Sequence, residues 1–314
     1  MIVAVSYPED PHAQRVLEHL DAAGQEALLL DLADLPDRAT LTVDYDHGTA
    51  DALELRRDGQ PVVDLTRAAA VWWRRPQAVN PSSVTDPEVR LFTENEWHEA
   101  INGLWQLLDV RWVNDPVRDE VAARKALQLR VAAELGLRVP RTLITSDPAR
   151  AAAFIEAEGV GRTIYKSFSC THTIWRETRL VSDEVLPLLD SVRLAPVIFQ
   201  EYVPADVDLR VTVVGERIFA AAIHSQETDY PIDFRMSLGQ ANVEPAELPP
   251  RIERLLHALM ARLGLAYGAI DLRRTPDGDC VFLEVNTAGE FLFVEERTGQ
   301  PIARALAELL ATPA

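Results

Sequence analysis

The stretch from Gly268 to Asn286 constrains the fold of this chain more than any other. Two apolar runs, Gly268–Arg274 and Cys280–Asn286, flank Pro276-Asp277-Gly278-Asp279, a turn composition that reverses the chain into a hairpin. Side chains alternate across a strand, so unbroken alternation sends Val281, Leu283 and Val285 to the core. Glu284 and Asn286 then share the opposite face with Phe282. On the partner strand Ile270 and Leu272 point one way, Asp271 and Arg273 the other. The hairpin thereby brings two carboxylates and an amide oxygen, from Asp271, Glu284 and Asn286, to one patch. Hard oxygen donors of this kind suit Mg²⁺ that also binds substrate phosphates. A solvated sheet face is the alternative. Against it, Glu284 and Asn286 are interleaved with Phe282, Leu283 and Val285 and do not lie on a polar edge.

At 314 residues the chain is about twice as long as one hydrophobic core usually sustains, so two or three domains are expected. The opening reads as an α/β unit. Ile2–Ser6 is a β-rich run, Val16, Leu17 and Leu20 recur at helical spacing, and Ala27–Leu32 is a second strand. Asp58-Gly59 turns a hairpin between residues 53–57 and 61–65. Val71-Trp72-Trp73-Arg74-Arg75-Pro76 is a short strand stopped by proline, and residues 94–109 are helical. A first domain over residues 1–115 follows. Asn114-Asp115-Pro116 then caps a helix that runs through Lys125 to Leu135 and stops at Gly136. Residues 116–198 form a small α+β region with a helix over 149–158 and a strand over 163–167, and an apolar strand over 197–203 leads out of it. Residues 199–314 form a larger one, with a hairpin turned at Gly215-Glu216, an amphipathic helix over 251–263, the acidic hairpin and a terminal helix.

Several cations fall at places that suit a phosphate. Lys125 sits in the helix that opens the second region, and Lys166 ends a strand before the polar loop Ser167-Phe168-Ser169-Cys170-Thr171-His172-Thr173, whose hydroxyls and amides could cover phosphate oxygens. Either lysine taken alone also reads as an ordinary surface residue. The segment Gln200-Glu201-Tyr202-Val203 joins the second and third regions and can offer its backbone to an adenine edge. In residues 208–213 alternation puts Asp208, Arg210 and Thr212 on one face, where a carboxylate could take ribose hydroxyls and Arg210 could reach phosphate or an oxyanion. A cross-strand salt bridge is the competing reading of Arg210. Arg235, in Asp233-Phe234-Arg235, could clamp a substrate carboxylate, and Arg273 shares a strand face with Asp271. Arg74 and Arg75 end a strand expected to point at the cleft. For Arg74, Arg75 and Arg235, interdomain salt bridges serve equally well.

Charge and cysteine count exclude some classes. With 31 basic and 49 acidic side chains the formal net charge is −18, which repels polyanions at long range and argues against a general nucleic-acid binder. No apolar run approaches the roughly 20 residues that span a bilayer. Met1–Ser6 lacks the basic region and long apolar core of a signal peptide, so a cytoplasmic protein is expected. Cys170 and Cys280 lie far apart without metal-type spacing.

Taken together, Lys125, Lys166, the Gln200–Val203 linker, Asp208-x-Arg210, Asp271 and Glu284-x-Asn286 resemble the ATP-grasp ligases, over nearly the whole chain and in the same order. Residues 267–271 and 283–286 look like the metal-binding strands of the branch that includes ribosomal-protein glutamate ligases. Residues 71–76, Asp233-Phe234-Arg235, Gly289-Glu290-Phe291 and residues 298–302 are similar to the microviridin-type peptide maturases that make graspetides. After Asn286 that subgroup tends to show proline and then Gly-Gln, where this chain has Thr287-Ala288-Gly289-Glu290. The resemblance implies an ATP-grasp fold. An N-terminal α/β pre-ATP-grasp domain (1–115) would precede two α+β subdomains (116–198 and 199–314) that clasp ATP. It implies a ligase that converts ATP to ADP and phosphate, with Mg²⁺ on Asp271, Glu284 and Asn286. ATP would lie on Lys125, Lys166, the linker and Asp208. A carboxylate would be activated as an acyl phosphate and Arg210 would stabilise the tetrahedral oxyanion. The expected substrate is a ribosomal precursor peptide, leader plus acidic core, cyclised through side-chain esters or amides. The alternatives are addition of a free amino acid to a peptide, protein or small acid, and a nucleotide-binding regulator without catalysis. A homodimer is the expectation carried from related ligases.

Overall fold

The computed structural model describes residues 1–46, 49–168 and 177–312, so Ser169, Cys170, Thr171, His172 and Thr173 of the polar loop lie outside the described residues. The first domain is built on a parallel sheet of order β2-β1-β6-β7, from β1 (Ile2–Val5), β2 (Ala27–Leu30), β6 (Ala70–Trp73) and β7 (Arg111–Val113). A parallel sheet is covered on both faces, which is why its strands are continuous apolar runs. Ile2, Ala4, Ala70 and Trp72 pack toward α1 (Pro11–Ala22), whereas Val3, Val5 and Val71 pack toward α2 (Pro87–Trp105). Between β2 and β6 the chain inserts an antiparallel sheet of β3 (Ala39–Asp46), β4 (Thr49–Arg57) and β5 (Val63–Asp64), the last two joined through the expected Asp58-Gly59 reversal. The α2 helix starts seven residues earlier than its apolar periodicity indicates. Asp86 accepts from the Glu88 and Val89 amides and Pro87 opens the first turn, a capping signal that outranks hydrophobic spacing.

The helix expected through Lys125 is broken in two, α3 (Pro116–Ala122) and α4 (Lys125–Leu135), with Arg124 extended between them. The break makes Lys125 the first residue of a helix. Next comes an antiparallel sheet of order β10-β9-β11-β8, from β8 (Thr142–Thr145), β9 (Thr163–Lys166), β10 (Arg179–Leu180) and β11 (Val197–Glu201), covered by α5 (Pro148–Glu158). Since β11 runs to Glu201, the division expected after residue 198 falls inside a strand, and Gln200 and Glu201 belong to this sheet.

The largest sheet is antiparallel, of order β14-β13-β12-β15-β16, from β12 (Val207–Val214), β13 (Arg217–Ile223), β14 (Val243–Pro245), β15 (Tyr267–Arg274) and β16 (Cys280–Asn286). One face is apolar throughout. Leu209, Val211, Val213, Ile270, Leu272 and Val285 pack against α3, α4 and α6 (Pro250–Leu263), whose Ile252, Leu256, Leu259, Met260 and Leu263 form the buried stripe. Gly264 ends α6 at φ +72°, and Leu265 N returns to Met260 O at 2.9 Å. The other face is mixed. Phe219, Ile223 and Tyr267 join α1, α7 (Leu292–Thr298), α8 (Ile302–Ala311) and the first sheet in one core, and Asp208, Arg210 and Asp271 occupy the rest. The terminal helix α8 packs on α1, so the first and last segments of the chain share a core.

Alternation in β16 is not unbroken. Asp271 lies opposite Glu284, but Leu272 lies opposite Phe282, so Leu283 is the extra residue of a β-bulge. The bulge reverses three expected sides, those of Phe282, Leu283 and Val281, the last now buried opposite Arg273. Phe282 is fully buried with Leu272 and Val285, and Leu283 lines the cleft. Phe282→Ala is expected to cost about 3–5 kcal/mol in urea unfolding. Leu283→Ala should cost nearer about 1 kcal/mol. The reverse ranking would mean that the alternation runs through without a bulge.

Candidate active site

The mixed face of the large sheet carries two polar rows. In the first, Arg210, Asp271 and Glu284 are lateral neighbours on β12, β15 and β16, and Arg210 Nη1 donates to Asp271 Oδ1 at 2.7 Å. Lys125, aimed by the start of α4, donates to Glu284 Oε2. In the second row Arg273 Nε donates to Asp208 Oδ1 at 2.9 Å, and Ser225 Oγ donates to Asp208 Oδ2. Lys125, Glu284 and Asp271 of the first row and Asp208 and Arg273 of the second line a cavity of about 450 Å³ between the β8–β11 sheet and the large sheet. Lys166, the Gln200–Val203 segment, Asp233, Arg235 and Asn286 form its other walls, while Arg210 is buried behind Asp271 outside the lining. Thirteen of the fifteen residues expected in the site line this cavity, and Arg74 and Arg210 do not.

Burial and charge pull against each other here. Burial raises the Glu284 carboxyl, but Lys125 and Lys166 beside it bring it down to about 2. Burial raises Asp271 above the usual carboxylate range against the opposing Arg210. Burial also lowers Lys166, although Glu284 works the other way. Five cations, Arg75, Lys125, Lys166, Arg235 and Arg273, line the cavity with five carboxylates, Glu201, Asp208, Asp233, Asp271 and Glu284. A chain of net charge −18 therefore encloses a cleft whose lining charges balance, so a polyphosphate meets less repulsion there than at the outer surface.

The residues fit both groups that the sequence implies. At the hinge Glu201 N donates to Arg141 O at 3.0 Å and Tyr202 N to Arg162 O at 2.7 Å. The buried Gln200 Oε1 has no partner among the described residues, an open acceptor on the cavity wall for an amine such as that of adenine. For a divalent ion, Asp271, Glu284 and Asn286 supply an all-oxygen set on one strand face, which suits Mg²⁺.

The remaining arginines divide. Arg235 is held in a two-pronged pair by Asp233, Nε–Oδ1 2.8 Å and Nη2–Oδ2 2.6 Å, with its side chain part-exposed at the cavity. Arg273 lies over the Tyr202 ring and donates to Asp208, Val203 O, Pro231 O and Ile232 O, so its guanidinium braces the hinge against the 231–233 loop. Arg75 reaches the cavity and pairs with Glu290 Oε1 at 3.1 Å. Arg74 corrects an expectation. It is 1% exposed, its Nε donates to Asp10 and its Nη1 to the Ala288 and Gly289 carbonyls, so it reaches no substrate and joins the first domain to the last.

Residues 122–310 match the profile of the RimK-like ATP-grasp domain. The chain belongs to the RimK-like ATP-grasp family. Residues 1–120 match the MvdD pre-ATP-grasp domain, so the α/β domain ahead of the two clasping sheets is the pre-ATP-grasp domain of this fold. Three solved structures are similar over almost their whole length. The macrocyclase MdnC from Microcystis aeruginosa MRC, bound with precursor peptide MdnA, is 31% identical over 99% of both chains, with a TM-score of 0.89. A RiPP-associated ATP-grasp ligase from Chryseobacterium gregarium, in complex with ADP and a leader and core peptide, is 25% identical over 98% of this chain and 96% of that one, with a TM-score of 0.89. The ATP-grasp ligase PsnB, complexed with a minimal precursor, Mg and ADP, is 28% identical over 98% and 96%, with a TM-score of 0.80. No curated protein sequence matches. Among the described residues, no helix of this ATP-grasp chain is long and apolar enough to cross a membrane.

Sequence reasoning missed the residues that hold the site from behind. Asp10 and His12 open α1, where Asp10-Pro11 is a legible cap, but nothing in the sequence says that Asp10 Oδ2 also meets Arg74 or that the His12 ring stands edge-on to Phe291 at 4.6 Å. Burial, followed by Arg74 beside it, pushes His12 from its ordinary 6.5 down to about 4. The folded chain thus refuses a proton that the unfolded chain accepts below pH 6.5, and stability should fall as pH drops from 6.5 toward about 4. His12→Gln should flatten that part of the curve in urea midpoints measured from pH 8 to pH 4. An unchanged slope would remove His12 as its cause.

Proposed function

We propose that this chain is an ATP- and Mg²⁺-dependent carboxylate ligase that closes side-chain ester or amide rings in a ribosomally made precursor peptide, working in the cytoplasm where ATP and the peptide are supplied. The observation that carries the reading is the cleft itself. One cavity combines a hinge edge at Gln200–Val203, an oxygen-donor face at Asp271, Glu284 and Asn286, and two arginines, Arg235 and Arg75, each paired with a carboxylate. Likeness to a macrocyclase bound with its precursor peptide, over 99% of both chains, supports the peptide as substrate.

In this reading Asp271, Glu284 and Asn286 hold the magnesium, which when bound draws charge from the transferred phosphoryl group. Lys125 and Lys166 flank the same oxygens and offset the negative charge that gathers there. Asp208 and the hinge hold the nucleoside end. Arg235, pre-set by Asp233, orients the side-chain carboxylate of the peptide. Arg210, fixed by Asp271 and by Glu290 O at 3.1 Å, stabilises the oxyanion that forms when a hydroxyl or amine attacks the activated carbonyl. The chain contributes no nucleophile in this scheme, and the one described cysteine, Cys280, is buried in the core.

The test is intact-mass analysis of purified protein with ATP, Mg²⁺ and the acidic peptide encoded beside its gene. Loss of one water mass per bond, dependent on ATP, is the expected result. An unchanged peptide together with a mass gain from added free amino acids would replace cyclisation by intermolecular ligation. Glu284→Lys should abolish turnover and lower the thermal midpoint, because it strands Lys125 beside a new like charge, and full activity in that variant would refute the metal face. Arg210→Met should lower kcat by roughly 10²–10³ with ATP binding retained, as loss of one oxyanion donor does elsewhere.

A further inference from the structure

The turn Thr287–Glu290 follows directly on the proposed metal ligand Asn286 and ends on the residue whose carbonyl holds Arg210, so its shape couples the two. It is gripped at every carbonyl. Asn114 Nδ2 donates to Thr287 O at 3.2 Å, Arg74 Nη1 to Ala288 O and to Gly289 O at 3.0 Å, Tyr267 Oη to Gly289 O at 2.7 Å, and Arg210 Nη2 to Glu290 O. Gly289 is packed so closely that an added Cβ would lie 2.4 Å from Ala269 Cβ and 3.1 Å from Asn286 Cβ. Two of the grips, Arg74 and Asn114, come from the first domain.

Arg74 is an unusual way to join two domains. Its guanidinium is buried. Among the described residues Asp10 is the carboxylate that pairs with it, the centroid of the Trp72 ring lies 5.9 Å from it, and Nη2 has no partner. Apolar residues of similar volume would seal the same interface without that desolvation. What they could not do is gather two successive carbonyls onto one nitrogen.

We propose that Arg74 is a positioning residue for the reaction. Anchored by Asp10, it sets the Ala288 and Gly289 carbonyls and so fixes Asn286 on one side of the turn and Arg210 on the other. The pre-ATP-grasp domain thereby takes part in chemistry that occurs wholly on residues of the ATP-grasp domain. The inference rests on the ligase reading for its kinetic test but not for its binding test.

Arg74→Met, Arg74→Lys and Asp10→Asn should be compared with the parent in two measurements. One is the kcat and KM of ring closure, and the other is Mn²⁺ affinity in the presence of ADP, followed by electron paramagnetic resonance. Arg74→Met should lose ~10- to 100-fold in kcat and weaken Mn²⁺ by a similar factor, with the peptide KM within about threefold, as removal of partners behind a metal site does. Arg74→Lys, which keeps the charge but not the fork, should fall between parent and Met. A folded Arg74→Met with parental kcat and parental Mn²⁺ affinity, and only a lower thermal midpoint, would make Arg74 a structural brace and overturn the proposal. If Arg74→Met does not fold, Arg74→Lys and Asp10→Asn decide by the same criteria. A parent inert toward every peptide would sink the ligase reading, and the Mn²⁺ comparison would still judge Arg74.

Discussion

The cleft depends on keeping a row of charges buried on one face of an antiparallel sheet. Arg210, Asp271, Glu284 and Lys125 stand side by side in that row, each carboxylate meeting a cation. A buried pair of this kind adds little net stability, because desolvation consumes most of the attraction, but removing one member costs about 3–5 kcal/mol by stranding the other. The row is therefore all or nothing. It survives because the opposite face of the same strands is apolar against three helices, and because the far end of its own face is sealed by Tyr267, Phe219 and the terminal helix.

An acidic chain can admit a polyanion here because cations balance the carboxylates of the cleft lining. Those cations come from places distant in sequence, among them the first residue of α4, the end of β9, Arg273 of β15 and the 231–236 loop. Each is aimed by a local device: the break at Arg124, the end of a strand, cross-strand pairing, and the Asp233 fork. Field strength in the cleft is set by these neighbours and not by composition.

Joining the first domain to the last is a structural commitment of a different sort. A continuous core runs from β1 and α1 through α8 to β13, and the charged contact at Asp10, Arg74 and the 288–289 carbonyls sits at its edge. Apolar packing supplies adhesion there. The charged contact supplies direction, because a guanidinium aims where a methyl group does not.

Much of this was legible from the sequence. The acidic hairpin, the β12–β13 hairpin turned at Gly215, the capped helices and the order of the three regions follow from alternation, turn composition and Asp-Pro or Gly signals, all of which act over a few residues. The site residues were legible too, because strand alternation is a local rule and it placed Asp208, Arg210, Asp271, Arg273, Glu284 and Asn286 on one side. Tertiary structure decided the rest. The bulge at Leu283 swapped the sides of Phe282 and Leu283, since register is settled by the partner strand and the core beneath it. Packing decided that Arg273 braces the hinge and that Arg74, whose neighbour Arg75 reaches the cavity, is buried against carbonyls more than two hundred residues away. A sequence states which side of a strand an arginine leaves from. What it meets is fixed only when distant segments have packed, because a guanidinium binds whichever oxygens the fold brings to it.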